Sequence, residues 1–202
     1  MRVEPTVFIV DDDPEVLATL GELARIVFPQ VQTYSSVESF LGKRNCPCEC
    51  CGCVILDVAM PGMSGLELQV RLHEMGCELP IVFLTGYGNV QMAVAALQAG
   101  AVDFLEKPVR EQDLWASIRR ALEVDLQRRQ RRCRRAEFQQ RTARLTPGEH
   151  EVFDLILAGK YNKQIAARLG LSIRTVEDRR ARVMRKMQAD SVVDLVKMAL
   201  LE

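Results

Sequence analysis

Four short apolar runs punctuate the first hundred residues: Val7-Phe-Ile-Val10, Val54-Ile-Leu56, Ile81-Val-Phe-Leu84 and Val102-Asp-Phe-Leu105. Runs of this length, apolar throughout and separated by stretches of helical periodicity, predict strands of a parallel sheet covered on both faces. Each run stops at a polar group: Asp11-Asp12-Asp13, Asp57, Thr85 and Glu106-Lys107-Pro108. Ligands of such sheets gather beyond the carboxyl ends of the strands, so these side chains are expected to meet in one crevice.

From Gln112 the pattern changes to a helical stripe, Leu114 or Trp115, Ile118, Leu122 and Leu126, which fades into Arg128-Arg-Gln-Arg-Arg-Cys-Arg-Arg135. No Pro or Gly falls between Val109 and Pro147, so one long helix is predicted to run outward as a solvated connector. The arginine run is read as a solvated helix face, with DNA phosphates or the acidic first half as the alternative partners. Beyond it, Thr146 and Glu149 form a capping-box pattern with Pro147 at the first helical position, and the first helix stops at Gly159. A second helix, 162–169, ends at Gly170, and Ser172 caps a third running from Ile173 to about Gln188. Two short helices joined by Gly-Leu-Ser have helix-turn-helix spacing. The third helix buries Val176, Val183 and Met187, leaving Arg174, Glu177, Asp178, Ala181, Arg182 and Arg185 outside. A last helix from Ser191 carries Val192, Leu195, Val196 and Ala199, more apolar face than so small a domain needs, and a dimer seam is expected there. The predicted division is 1–122, a connector 123–143, and 144–202.

The 202 residues carry no formal net charge, which hides an asymmetry. Through Leu122 there are 9 Lys/Arg against 16 Asp/Glu, a net of −7, and the remainder balances it at +7. An acidic half joined to a basic half suggests a separate partner for each. No apolar stretch approaches the roughly 18 residues of a membrane span and the N-terminus has no signal-peptide pattern, so a cytoplasmic protein without a membrane partner is expected.

Asp11, Asp12 and Asp57 cannot gather ionised without a cation, because two carboxylates about 4 Å apart repel by roughly 4 kcal/mol at an effective dielectric near 20. A hard, oxygen-ligated divalent ion, Mg2+, resolves this and leaves positions for water and phosphate oxygens. Lys107 and Thr85 add a compact cation and a hydroxyl suited to a transferred phosphoryl group. Asp13, followed by Pro14, reads instead as a helix N-cap. Of the seven cysteines, Cys53 reads as core, and Cys46, Cys48, Cys50 and Cys51 as a loop kept reduced by the cytosol. A thiolate metal or redox site is the alternative for that loop. Neither His73 nor His150 is assigned chemistry.

The segments Phe8-Ile-Val-Asp-Asp-Asp-Pro14, Leu56-Asp-Val-Ala-Met-Pro-Gly-Met-Ser-Gly65, Leu84-Thr-Gly-Tyr-Gly88 and Gly100-Ala-Val-Asp-Phe-Leu-Glu-Lys-Pro108 resemble, in order, the motifs of the receiver domain of two-component response regulators. The resemblance implies a flavodoxin-like, doubly wound five-stranded parallel sheet with Asp57 as phosphoacceptor. Asp12 would be a direct Mg2+ ligand, Asp11 a ligand through water, and the Ala59 carbonyl a third protein ligand. Thr85, Gly86 and Lys107 would bind the phosphoryl group, with Phe104 an aromatic switch. Ala59 has no polar group to orient water and Tyr87 would shield the site, implying slow hydrolysis.

Leu145-Thr-Pro-Gly-Glu-His-Glu-Val, Asn162-Lys-Gln-Ile-Ala and Thr175-Val-Glu-Asp-Arg-Arg-Ala-Arg-Val-Met-Arg-Lys-Met187 resemble the LuxR-type DNA-binding domain, an all-α four-helix unit, and the whole chain is similar to the FixJ/NarL group. That likeness implies a phosphorylation-switched regulator, not an enzyme beyond its own autophosphorylation and dephosphorylation. Its partners would be a cognate histidine kinase, double-stranded DNA, RNA polymerase if it activates, and a second copy of itself. Carried over by position, Glu177, Asp178 and Ala181 would face base edges while Lys163, Thr175, Arg179 and Arg185 approach phosphates. The alternative is a haloacid-dehalogenase-like phosphatase using Asp11 and Asp13, which leaves Asp57 and the C-terminal half without roles.

Overall fold

The computed structural model describes residues 4–42, 51–86 and 90–200. Cys46, Cys48, Cys50 and Tyr87 lie outside the described residues. The chain forms two compact units, Met1–Arg128 and Arg129–Glu202.

The first unit is built on strands β1 (Thr6–Val10), β2 (Val31–Tyr34), β3 (Gly52–Leu56), β4 (Ile81–Thr85) and β5 (Asp103–Glu106), all parallel in the order β2-β1-β3-β4-β5. Helices α1 (Pro14–Val27), α2 (Val37–Gly42), α3 (Gly65–Glu74) and α4 (Val90–Gln98) connect them, and α5 (Glu111–Thr142) follows β5. Alternation along the strands splits the core in two. Phe8, Val10, Val54, Leu56 and Phe83 pack with Phe40, Leu68, Leu72 and Ala96 on the side of α2, α3 and α4. Val7, Ile9, Cys53, Ile55, Val82 and Leu84 pack with Leu20, Ala24, Leu114 and Ile118 on the side of α1 and α5. Helices on both faces explain why β1, β3 and β4 are apolar at nearly every position. This is the doubly wound fold expected from the sequence.

The α5 stripe ends earlier than its periodicity implies. Leu114, Ile118 and Ala121 are buried, but Leu126 is 47% exposed, and the polar neighbour Asp125 is buried instead. The Asp125 carboxylate accepts a hydrogen bond from the Gly52 N–H at 3.1 Å, at the first residue of β3. Gly52 sits at φ 142°, and a Cβ there would lie 1.8 Å from the Thr6 carbonyl oxygen, so only glycine lets β3 enter beside β1. Cys51, expected in a surface loop, is buried, with its thiol donating to the Glu4 carbonyl. Burial pushes the Cys53 thiol pKa up, which keeps it protonated.

The second unit contains the C-terminal part of α5 and helices α6 (Pro147–Leu157), α7 (Asn162–Leu169), α8 (Ile173–Met187) and α9 (Val192–Leu200). Phe138, Val152, Phe153, Ile156, Ile165, Val176, Val183, Met187 and Leu195 form its core. Glu149 accepts from the Thr146 N–H at 2.8 Å, the backbone-directed half of the expected capping box. Gly170 ends α7 in the left-handed region, and Ser172 Oγ accepts from the Thr175 N–H to start α8.

The apolar face of α9 requires a correction. Leu195, expected on a dimer seam, is fully buried, and Val192 and Ala199 pack against the same core. Positions i, i+3, i+4 and i+7 share one helical face, and here that face closes the domain's own small core. The exposed apolar residues of α9 are Val193 and Leu200, at 64% and 79%, one seven-residue step apart on another face.

Candidate functional site

Pairing of Val10 with Leu56 sets the residues that follow, Asp11 and Asp57, side by side at the carboxyl edge of the sheet. The Asp57 N–H donates to the Val10 carbonyl at 2.9 Å, and the Lys107 N–H to that of Thr85 at the same distance. Lys107 precedes a cis proline, Pro108. Its Nζ donates to Asp11 Oδ2 at 2.6 Å and Asp57 Oδ2 at 2.9 Å, so one ammonium bridges both acids. Asp11, Asp57 and Thr85 are buried, while Asp12, Ala59 and Gly86 are exposed and Phe104 is half-buried against Phe83. Of the residues predicted for this crevice, the two strand-end carboxylates and the lysine are in direct contact.

Electrostatics explain the clustering. Burial raises the Asp11 pKa, a shift that hydrogen bonds from Lys107 and the Asp13 N–H oppose without reversing. Burial alone would lower the Lys107 pKa, yet its hydrogen bonds to Asp11 and Asp57 prevail and raise it. The pocket therefore carries a fixed ammonium and more carboxylates than that one charge neutralises.

Carboxylate oxygens of Asp11, Asp12 and Asp57 all lie within 4.8 Å of one another. Three carboxylates gathered this closely form an acidic pocket typical of Mg2+ binding, and oxygen donors of this kind suit that hard ion. Asp13 stands apart: its carboxylate caps α1, accepting from the Glu15 and Val16 N–H groups at 2.8 and 3.4 Å. That role removes the Asp11/Asp13 pair required by the phosphatase alternative.

Gly65, quoted only as part of a motif, bears on the site directly. A Cβ there would lie 2.1 Å from the Asp57 carbonyl oxygen, and its N–H donates to the Val58 carbonyl at 3.0 Å. The first turn of α3 thus backs the Asp57 loop at a distance only glycine permits. The sequence signal was the Ser64-Gly65 step, with Ser64 the N-cap of α3.

In the second unit α8 presents Arg174, Glu177, Asp178, Ala181, Arg182 and Arg185 to solvent, and Lys163 is exposed on α7. Two expected phosphate contacts are engaged internally. Arg179 donates to the Gly148 carbonyl at 3.2 Å and packs where a side chain at 148 would stand, and the Thr175 hydroxyl shares a hydrogen bond with Ser172. Arg180 donates to Asn162 Oδ1 at 3.1 Å, fastening α7 to α8. His150 stacks edge-on against Phe153.

A doubly wound sheet with a lysine-bridged acidic pocket, followed in the chain by a helix-turn-helix unit, defines a phosphorylation-responsive DNA-binding regulator. Comparison with known families agrees: residues 7–119 match the response regulator receiver domain and residues 143–199 the LuxR family of bacterial regulatory proteins. The chain belongs to the response regulators, in the group of FixJ-type transcriptional regulators. It is 43% identical to the response regulator protein TodT of Pseudomonas putida, over 95% of this chain and 83% of TodT. Identity to the transcriptional regulatory protein FixJ of Bradyrhizobium diazoefficiens is 36%, over 99% of this chain and 97% of FixJ. The response regulator StyR has a solved structure 40% identical to this chain, with a TM-score of 0.85 covering 99% of this chain and all of that one. A receiver domain implies a sensor kinase, a LuxR-type domain implies DNA binding, and regulators so built are generally not enzymes. No described helix is long and apolar enough to cross a membrane.

Proposed function

We propose that Asp57 is the phosphoacceptor of a cytoplasmic, DNA-binding transcription regulator divided into a receiver (1–122), a helical connector (123–143) and a DNA-binding domain (144–202). The observation that carries this reading is the Lys107 ammonium held between Asp11 and Asp57 at the sheet edge. An Asp57 carboxylate oxygen attacks the phosphorus of a kinase phosphohistidine, the P–N bond breaks, and the histidine nitrogen leaves with the electron pair. Asp11, Asp12, Asp57 and the Ala59 carbonyl would hold Mg2+, which supplies charge neutralisation to the transferring oxygens when bound. Lys107, the Thr85 hydroxyl and Gly86 receive the phosphoryl oxygens, and Phe104 responds to the movement of Thr85.

Phosphorylated chains pair, and α8 enters the major groove on a two-fold site. Arg174, Glu177, Asp178, Ala181, Arg182 and Arg185 of α8, with Lys163 of α7, form the DNA-facing set. Val193 and Leu200 supply the free apolar surface of α9, flanked by Val192, Val196 and Ala199. RNA polymerase is a further partner if the regulator activates. Pairing makes the second binding event intramolecular and raises affinity by roughly 10²–10⁴.

Intact-mass measurement after acetyl phosphate and Mg2+ treatment tests the assignment. One added phosphate is expected in the wild type and none in Asp57→Asn or after chelation. Equal labelling of the variant overturns it.

A further inference from the structure

The recognition helix carries little net positive charge on its exposed face. Beside the exposed Arg174, Arg182 and Arg185 it also exposes the acids Glu177 and Asp178, which offset two of those charges, while Arg179 and Arg180 are committed to the Gly148 carbonyl and to Asn162. Binding driven by release of counterions gains from further positive charge placed on the same unit.

That charge lies on the C-terminal part of α5. Between Asp125 and Glu137 the sequence has six arginines and no acid. Arg131, Arg134 and Arg135 are exposed, and among the described residues none has a carboxylate partner; Arg134 reaches only Gln130 Oε1, at 3.4 Å. With Phe138 they are spaced i, i+3, i+4 and i+7, so they continue the very face by which α5 packs on the second unit. Phe138 is buried beside Phe153, ring centroids 6.3 Å apart, and Arg141 donates to the carbonyl of Met187, the last residue of α8, at 3.2 Å. The stripe is therefore fixed to the DNA-binding unit, its cations spaced over about 6 Å of helix axis. Like charges at i and i+4 weaken a helix and no acid offsets Arg131 or Arg135, so helix stability does not account for the stripe.

We infer that Arg131, Arg134 and Arg135 form a second, sequence-independent contact surface for the phosphate backbone of double-stranded DNA. This rests on the DNA-binding reading and adds a surface to it. Guanidinium groups suit phosphate oxygens better than ammonium groups and accept any sequence.

The test measures binding of the full-length chain to a random-sequence duplex of about three helical turns, by fluorescence anisotropy across a salt series. Replacing all three arginines by glutamine should weaken binding and flatten the slope of log K against log salt by roughly 2–3. Between 50 and 200 mM salt, wild-type affinity should then fall about 40-fold more than that of the variant. The triple Arg→Lys variant should keep the wild-type slope, separating charge from any change in folding. If the glutamine variant keeps the wild-type slope, or binds DNA more tightly because the stripe pairs with acidic groups of the chain itself, the inference is overturned and the DNA-binding reading stands. If the wild type does not bind the duplex even at low salt, both fall.

Discussion

Replacing Glu149 with glutamine keeps the side chain's shape and its ability to accept from the Thr146 N–H, and removes one charge. That charge is held in a specific place: the carboxylate is buried, and Lys186 Nζ approaches it to 2.6 Å while also donating to the Arg144 carbonyl at 3.0 Å. The hydrogen bond from Lys186, helped by the Thr146 N–H, lowers the Glu149 pKa to about 2 from an ordinary value near 4.5. Charge-assisted hydrogen bonds of this kind typically contribute about 1.5–3 kcal/mol. Glu149→Gln should thus destabilise the second unit by about 1.5–3 kcal/mol at pH 7. Because the folded pKa is depressed, the stabilisation is complete above pH 4.5 and is lost as pH falls toward 2, with about half remaining at pH 3. Amide hydrogen exchange of the buried positions Val152, Val176 and Val183 in the full-length chain reads this locally. A wild-type advantage that is absent at pH 7, or as large at pH 3 as at pH 7, would refute the reasoning.

Gly65→Ala should force the Asp57 backbone aside and slow acetyl phosphate labelling by on the order of tenfold to a hundredfold; a normal time course by intact mass would show that the loop yields without consequence. Leu195→Ala should cost about 2–5 kcal/mol in thermal or chemical unfolding, whereas Val193→Asp should change stability by no more than about 0.5 kcal/mol and reduce pairing on DNA, read by sedimentation. The reverse ranking would return Leu195 to the seam. Ala59→Glu should speed loss of the acyl phosphate by giving water a polar partner beside Asp57, and an unchanged half-life of the phosphorylated form would remove position 59 from control of hydrolysis.

The meeting of Asp11 and Asp57 was legible because β1 and β3 are almost uninterruptedly apolar, and a parallel register then leaves little freedom to the residues that follow; Lys107 was legible from the short run ending at Leu105 just before it. The long α5 was legible from the missing Pro and Gly. Elsewhere hydrophobic periodicity misled for identifiable reasons. It weights Leu126 above Asp125, yet a buried carboxylate with a backbone donor is acceptable at that position. On α9 it found the correct stripe and could not say whether that stripe faced its own core or a partner. Arg179 reads as a surface cation in any sequence, and its engagement depends on Gly148, thirty-one positions away, offering both a carbonyl and an empty space.

The fastening of Gly52 has a consequence for how this fold tolerates change. The residue is gripped by the Asp125 carboxylate on one side and by contact with Thr6 on the other, five positions before Asp57. The strand is thus anchored at its first residue, before it runs on toward Asp57. Strain that reaches Gly52 from the N-terminal side of β3 is accordingly expected to stop there, with Asp57 left undisturbed.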